Sequence, residues 1–277
     1  MNASKRTATL ILNRNLPHVT DALYENIAKT SGSDTDIYVI ESGSASDGRS
    51  RYAAYAAGWE ESIANGLRYP RGFNYGLSEL HKEGKFAHYD FFFLVCNDAV
   101  MRTDGVVARL VALMDKHQNV GILSPCAEDW GERRLLQQSN IRYFWYVNHI
   151  AWLVRRDYVE SIMERDEPNY MNFLYDGSNF RGYESDIELI AKGYANDWAA
   201  AITTDVILHE NEALLKTEHQ KMKTDAFHTN RQRVVEEGQR WLRRKYGFNS
   251  RWCMQLYAQF LYGKFFEYHP QLADFRI

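Results

Sequence analysis

The sequence has few of the features that would take it out of ordinary globular chemistry. Cysteine is scarce: Cys96, Cys126 and Cys253 are odd in number, far apart and free of any CxxC pair. That argues against a disulfide framework or a structural zinc site and fits a reducing compartment. Long apolar runs are missing too, since the strongest, Phe91 to Cys96, is far below the roughly 20 residues that cross a bilayer as a helix. The start, MNASKRTATLILNRN, turns from charge into a short strand pattern without an apolar stretch and small-residue cleavage site, so no secretory signal is expected. The expected location is cytoplasmic. Nor does one sign of charge dominate: 33 Lys and Arg against 36 Asp and Glu give a net charge of -3, which argues against a broad basic field for nucleic acid.

What is present suits a folded enzyme-sized chain. At 277 residues with 45% hydrophobic, 14% aromatic and 25% charged content, it can bury a substantial core and lies far from the composition of disordered chains. Short apolar runs alternate with helical patterns. Thr7 to Leu12 reads as a buried strand, Val19 to Ala28 as a helix, and Asp36 to Ile40 as a second strand running into the turn-forming Glu41 to Gly48. Tyr52 to Ile63 reads as a helix, Leu67 to Tyr69 as a short strand, and Arg71 to Gly76 as the lead into a helix over Leu77 to Lys82. Tyr89 to Val95 is the most apolar strand, ending abruptly at Cys96-Asn97-Asp98; a helix over Gly105 to Lys116 and a strand over Val120 to Leu123 follow. This alternation predicts a parallel-rich α/β sheet.

The second half predicts neighbouring strands at Ile141 to Val147 and Ile150 to Val154, a helix at Tyr183 to Lys192, a strand at Ala199 to Thr204, and Val206 to Leu208 leading into His209. From Glu212 the pattern is helical and charged, then aromatic between Trp252 and Tyr268. With no repeat or flexible linker, residues 213–277 are expected to be a helical extension packed on a domain of residues 1–212. The segment Arg251 to Tyr268 admits internal packing, a homodimer seam or contact with a membrane surface, internal packing being the default.

Three clusters carry candidate chemistry. Asp98 follows a buried strand at the sheet edge where open α/β sheets place ligands, and competes with a plain Asn-Asp turn. Gly182 to Leu189 sets Glu184, Asp186 and Glu188 at a helix start; such acids suit the helix dipole, but Glu184 or Asp186 could also take a proton from a hydroxyl. His209 ends an apolar run and could ligate a divalent ion or be merely structural.

In order along the chain these segments resemble GT-A-fold glycosyltransferases, specifically the inverting family 2 group. The resemblance rests on Val39 to Ser44, Arg71 to Gly76, a DxD-type segment at Phe93 to Val100, Ala151 to Arg156, the acidic motif Tyr183 to Leu189, and His209, and runs from about residue 7 to about residue 212. Cys96 occupies the first position of the DxD-type motif, so Asp98 alone carries over as its metal ligand, and Glu41-Ser42 stands where Asp-Asn is more frequent. The resemblance implies a GT-A (Rossmann-like) mixed, mostly parallel sheet flanked by helices, and transfer of a sugar from a UDP- or dTDP-linked donor to the hydroxyl of a glycan or lipid-linked acceptor. It implies Mg²⁺ or Mn²⁺ held by Asp98 and His209, and Glu184 or Asp186 as base. Donor contacts would come from Asn13, Arg14, Glu41, Ser42, Asn74, Asn97 and Asp98, with Arg71 on phosphate. Trp145, Tyr146 and Trp152 are candidates for the acceptor channel, with plain core as their other reading. A sugar-phosphate nucleotidyltransferase and a non-catalytic nucleotide-sugar-binding protein are the rival readings.

Overall fold

A computed structural model of the chain describes residues 6–129, 131, 133–136, 140–163 and 167–277; the charged start read at residues 1–5 lies outside them. The strands are β1 (Thr7–Asn13), β2 (Thr35–Glu41), β3 (Ala53–Ala56), β4 (Phe91–Cys96), β5 (Ala99–Met101), β6 (Val120–Ala127), β7 (Ile141–Tyr143), β8 (Ala151–Arg155) and β9 (Ala199–Glu210). The helices are α1 (Pro17–Ser31), α2 (Glu60–Asn65), α3 (Arg68–Lys82), α4 (Val106–Lys116), α5 (Arg133–Leu136), α6 (Arg156–Ile162), α7 (Ser185–Ala195), α8 (Ala213–Thr217), α9 (Phe227–Tyr246) and α10 (Arg251–Tyr268).

The strands form one sheet in the order β3-β2-β1-β4-β8-β6-β9-β5, with β7 also on β9. The pairings make β1, β2, β3, β4, β6 and β9 run one way and β5, β7 and β8 the other, which is the expected mixed, mostly parallel α/β sheet. β4 sits centrally between β1 and β8, and Phe91 to Val95 are buried because helices cover both faces. Each of those large side chains contributes about 1.5–3 kcal/mol of burial, so the strand end that carries Asp98 is firmly anchored.

Three local expectations are corrected. Tyr52 to Ile63 is not one helix: Gly58 divides it into edge strand β3 and helix α2. Leu67 to Tyr69 is not a strand; α3 begins at Arg68, because Pro70 suits a first turn and Phe73, Leu77 and Leu80 then fall on one buried face. Gly72 and Gly76, which read as lead-in, lie within that helix, and a Cβ at Gly76 would sit 2.8 Å from Leu10 Cδ2 and 2.9 Å from Ile40 Cδ1. They let α3 rest directly on the sheet. The strands expected to be neighbours after residue 140 are apart, with β7 on β9 and β8 between β4 and β6.

Beyond β9 the described chain is helical. Met254 and Ala258 of α10 pack with Trp241 and Leu242 of α9 against Ile187 and Ala191 of α7, while Tyr262, Phe265 and Phe266 join the main core. Helix α7 is therefore clamped between sheet and C-terminal helices, which fixes the acidic motif at its start.

Candidate active site

Register brings the sequence-distant segments to one edge. Leu12 pairs with Cys96 and Asn13 with Glu41, so the ends of β1, β2 and β4 lie side by side where open α/β sheets bind ligands. A cavity of about 490 Å³ opens there, with Asp98, Glu184, Asp186 and Glu210 in its wall beside Tyr69, Trp145, Tyr146, His149, Arg251 and Gln255. A second, of about 200 Å³, is lined by Asn13, Arg14, Ser42, Arg68 and Asn97, and shares Tyr69, Cys96 and Asp98 with the first.

The acids are held in protein rather than in open water. Burial pushes Asp98 up to about 6, and its Oδ1 is buried without a hydrogen-bond partner. Its carbonyl accepts the Asn211 amide at 2.9 Å, tying the turn after β4 to the end of β9. Glu210 is raised to about 7 by burial and then by the Asp98 charge. Glu184 precedes α7 in a left-handed conformation (φ +61°). Burial, then the Asp186 charge, lift it to about 7. Its Oε1 accepts from Gln255 at 3.2 Å, while Oε2 is buried without a partner. Asp186 is raised by burial to about 6 and accepts the Ile187 amide at 2.9 Å. Gly182 (φ +80°) leads into this motif, and a Cβ there would lie 2.3 Å from the Tyr69 ring, whose hydroxyl donates to the Gly182 carbonyl. Only glycine fits that approach.

Several expected ligand residues serve the fold. Glu41 is fully buried, its carboxylate accepting the Asn13 amide at 2.9 and 3.1 Å and the Ser50 amide at 2.8 Å. Asn13 Oδ1 in turn accepts from Leu16 and Thr20, so the pair fastens β1 to β2 and Glu41 does not line either cavity. Arg14 donates to the carbonyls of Ser42, Gly43, Ser62, Ile63 and Met222. Ser42 Oγ accepts the Leu67 amide at 2.7 Å, and Asn97 donates to Thr20 at 3.1 Å. Asn74 is buried away from the site and bonds the backbone of Leu174 and Tyr175. Arg71 lines neither of these two cavities: it donates to the Gly177 carbonyl and pairs with Glu61 at 2.8 Å. His209 is not brought to Asp98; its Nδ1 lies 3.0 Å from Asp129 Oδ2. Trp152 is core, fully buried with its indole N–H on the Asn148 carbonyl.

Two residues without an earlier expectation, Glu210 and Arg68, line the cavities. Side chains alternate along a strand, so turning His209 outward turns Glu210 into the cavity; the sequence offered the adjacent acid, and only the strand's phase decides between them. Arg68 lines the second cavity beside Asp98. Burial, then the Arg181 charge, lower it to about 10; its Nε has no hydrogen-bond partner, although a terminal nitrogen donates to Thr224 at 2.7 Å. Reading Leu67 to Tyr69 as a strand hid it.

Among the described residues no three His, Cys, Asp or Glu side chains are grouped so as to hold a metal ion. Asp98 and Glu210 nevertheless offer two carboxylates in one wall, one with an unpartnered oxygen. Mg²⁺ is commonly held by one or two carboxylates, with substrate phosphates and water completing the shell, so this pair fits such an ion.

No family model and no curated protein matches the sequence. Solved structures do resemble it. The mannosyltransferase PcManGT from Pyrobaculum calidifontis, in complex with GDP-Man and Mn²⁺, matches at TM-score 0.50 and 12% identity, over 76% of this chain and 57% of that chain. A TarS structure from S. aureus in complex with UDP matches at TM-score 0.52 and 10% identity, over 87% of this chain and 73% of that one. GalNAc-T7 with UDP, GalNAc and Mn²⁺ matches at TM-score 0.50 and 11% identity, over 74% and 44%. The chain thus spans little more than half the length of the mannosyltransferase. At these identities the likeness is one of fold, and that fold is GT-A.

Proposed function

We propose that the chain transfers a sugar from a nucleoside diphosphate sugar to an acceptor hydroxyl, with inversion at the anomeric carbon. The observation that carries this is the convergence of Asp98, Glu184 and Asp186, residues far apart in sequence, on one cavity at the C-terminal ends of parallel strands. The GT-A fold supports it.

The donor's nucleoside lies in the second cavity over the ends of β1 and β2, with its diphosphate toward Arg68 and Asp98. The unpartnered Arg68 Nε donates to a phosphate oxygen, a charge-assisted bond of the stronger kind. When bound at Asp98 and Glu210, Mg²⁺ or Mn²⁺ supplies positive charge to the departing diphosphate. The acceptor, a glycan or lipid-linked hydroxyl, enters the larger cavity beside Trp145, Tyr146 and Gln255. Asp186 is the base: at about 6 it is mostly ionised at neutral pH, it faces the cavity, and the Ile187 amide fixes its orientation. It takes the hydroxyl proton as oxygen attacks the anomeric carbon from the face opposite the leaving group. Glu184 is the neighbour whose charge state tracks that of Asp186.

Thermal-shift titration with UDP, GDP and dTDP, with and without Mn²⁺, tests the donor class. A nucleotide at about 100 times its Kd stabilises by about 2.7 kcal/mol. Metal-dependent stabilisation by one nucleotide, lost in Asp98→Asn, is expected. If no nucleotide stabilises the protein and Asp98→Asn changes nothing, the reading fails.

A further inference from the structure

Helix α10 buries one face and leaves another bare. Met254, Ala258, Tyr262, Phe265 and Phe266 face the protein, whereas Trp252 (58% exposed), Leu256 (63%), Tyr257 (50%) and Phe260 (58%) face outward. Trp252, Leu256 and Phe260 are spaced four apart and form a continuous stripe on the helix surface. Large aromatic and aliphatic groups gathered on one exposed helix face mark a contact surface.

The charge around the stripe identifies what it meets. From Gly238 to Phe266 the chain carries Arg240, Arg243, Arg244, Lys245, Arg251 and Lys264 and no acidic residue, in a protein whose net charge is -3. Lys245 is engaged inward with Asp176 and Glu188, but Arg240, Arg243, Arg244 and Arg251 are exposed. Arg251 lies over the Trp252 ring at 4.7 Å, so an exposed cation stands at the start of the stripe; at its other end Lys264 lies over Phe260 at 5.8 Å and pairs with Glu267 at 2.6 Å. The end of α9 at Tyr246 is five residues from Arg251, at most about 18 Å of chain, which keeps its basic last turn close.

A second copy of the chain on this stripe would bring Arg251 and the α9 arginines of both copies together, and the nearest carboxylate after them, Glu267, is already paired with Lys264 at 2.6 Å. An anionic lipid surface meets both features: acyl chains and interface take the aromatics, and headgroup phosphates take the cations. We propose that the exposed face of α10, with the basic end of α9, docks the protein on an anionic bilayer surface. The same helix carries Gln255 and Arg251 in the wall of the larger cavity, so the docking face and the candidate site share one rigid element. No helix among the described residues is long and apolar enough to cross a membrane.

The test is flotation of the full chain with vesicles of phosphatidylcholine alone and with added phosphatidylglycerol, without any nucleotide or sugar, so that its outcome is independent of transferase activity. Binding is expected only with phosphatidylglycerol, and it should weaken as salt rises. Arg243→Gln and Arg244→Gln should each lower the partition coefficient about fivefold. The triple variant Trp252→Ser, Leu256→Ser, Phe260→Ser should abolish binding with an unchanged melting temperature. Sedimentation equilibrium is run on the same proteins. No binding to phosphatidylglycerol vesicles overturns the proposal, as does equal binding by the triple variant; a dimer that the triple variant dissociates assigns the face to a second copy instead.

Discussion

Glu184→Gln isolates the electrostatic cost built into the acidic motif. Glu184 is only 8% exposed, and its carboxyl is raised from 4.5 to about 7 by burial and by the Asp186 charge. The folded protein therefore holds the Glu184 proton more tightly than the unfolded chain. The stability linked to it is complete below pH 4.5 and is lost as pH climbs from 4.5 through 7. Relative to the unfolded chain, the raised carboxyl destabilises the fold by about 3 kcal/mol at pH 8, where it must ionise in place, and by about 1 kcal/mol at pH 5, where it must hold a proton the unfolded chain releases. Glutamine carries no charge at either pH, and its amide oxygen can still accept from Gln255. The variant should be slightly more stable than the parent at pH 5 and distinctly more so at pH 8, with the gap widening by about 2–3 kcal/mol. For a chain of this length that corresponds to about 4 °C in Tm. Thermal melts of both proteins from pH 5 to 8, followed by circular dichroism, measure it. A gap that stays constant across that range would mean that Glu184 ionises freely and that the site stores no charge, and the reasoning would be wrong.

Three further outcomes follow from the same geometry. Asp186→Asn should lower the transfer rate about 10²- to 10⁴-fold, and the parent's kcat should rise with pH through about 6 as Asp186 loses its proton; a rate profile flat from pH 5 to 8 removes Asp186 as base. In calorimetric titration of nucleotide with Mn²⁺, Glu210→Gln should weaken binding at least tenfold and His209→Ala less than twofold, since only Glu210 lines the cavity; the opposite ranking would return His209 to the metal. Gly76→Ala should cost about 1–3 kcal/mol in urea unfolding by overpacking against Leu10 and Ile40, against about 1 kcal/mol of gained helix propensity.

Much of the fold was legible because its strands are short apolar runs with sharp ends: β1, β2, β4 and α4 lie within a residue or two of where periodicity put them. Pairing was not legible. The separation of β7 from β8 depends on which edge each aromatic run meets, and no local pattern encodes that. The glycines of α3 misled for a related reason, since Gly72 and Gly76 answer to Leu12, Leu10 and Ile40 across the helix–sheet contact, not to local propensity. Motif order picks out Asp98, Glu184 and Asp186, which line one cavity, whereas placing Glu41, Asn74, Arg71 and His209 required knowing where polar groups end. Glu41 and Asn74 look like ligands by type, but burial commits the Glu41 carboxylate to the Asn13 side chain and the Ser50 amide, and Asn74 to the backbone around it. For His209 and Glu210 a single step along β9 reverses which side chain enters the cavity.

Two atoms summarise what the cavity lacks. Asp98 Oδ1 and Arg68 Nε both belong to residues lining the smaller cavity, both are buried, and neither has a hydrogen-bond partner. Leaving such groups unpaired costs about 1–3 kcal/mol each, more when charged. A cation alone would satisfy the aspartate and be repelled by the neighbouring guanidinium; an anion alone would do the reverse. A nucleoside diphosphate together with a divalent ion meets both, which makes the two ligands interdependent: each should bind more tightly in the presence of the other, by one shared factor. Calorimetric titration of UDP with and without Mn²⁺, and of Mn²⁺ with and without UDP, measures that factor from both sides. Arg68→Ala should weaken the nucleotide about tenfold or more, in line with loss of a charged hydrogen bond, while Asp98→Asn should abolish the metal dependence and leave metal-free nucleotide binding intact or stronger. Equal nucleotide affinity with and without metal in the parent protein would show that the two orphaned atoms are not halves of one binding site.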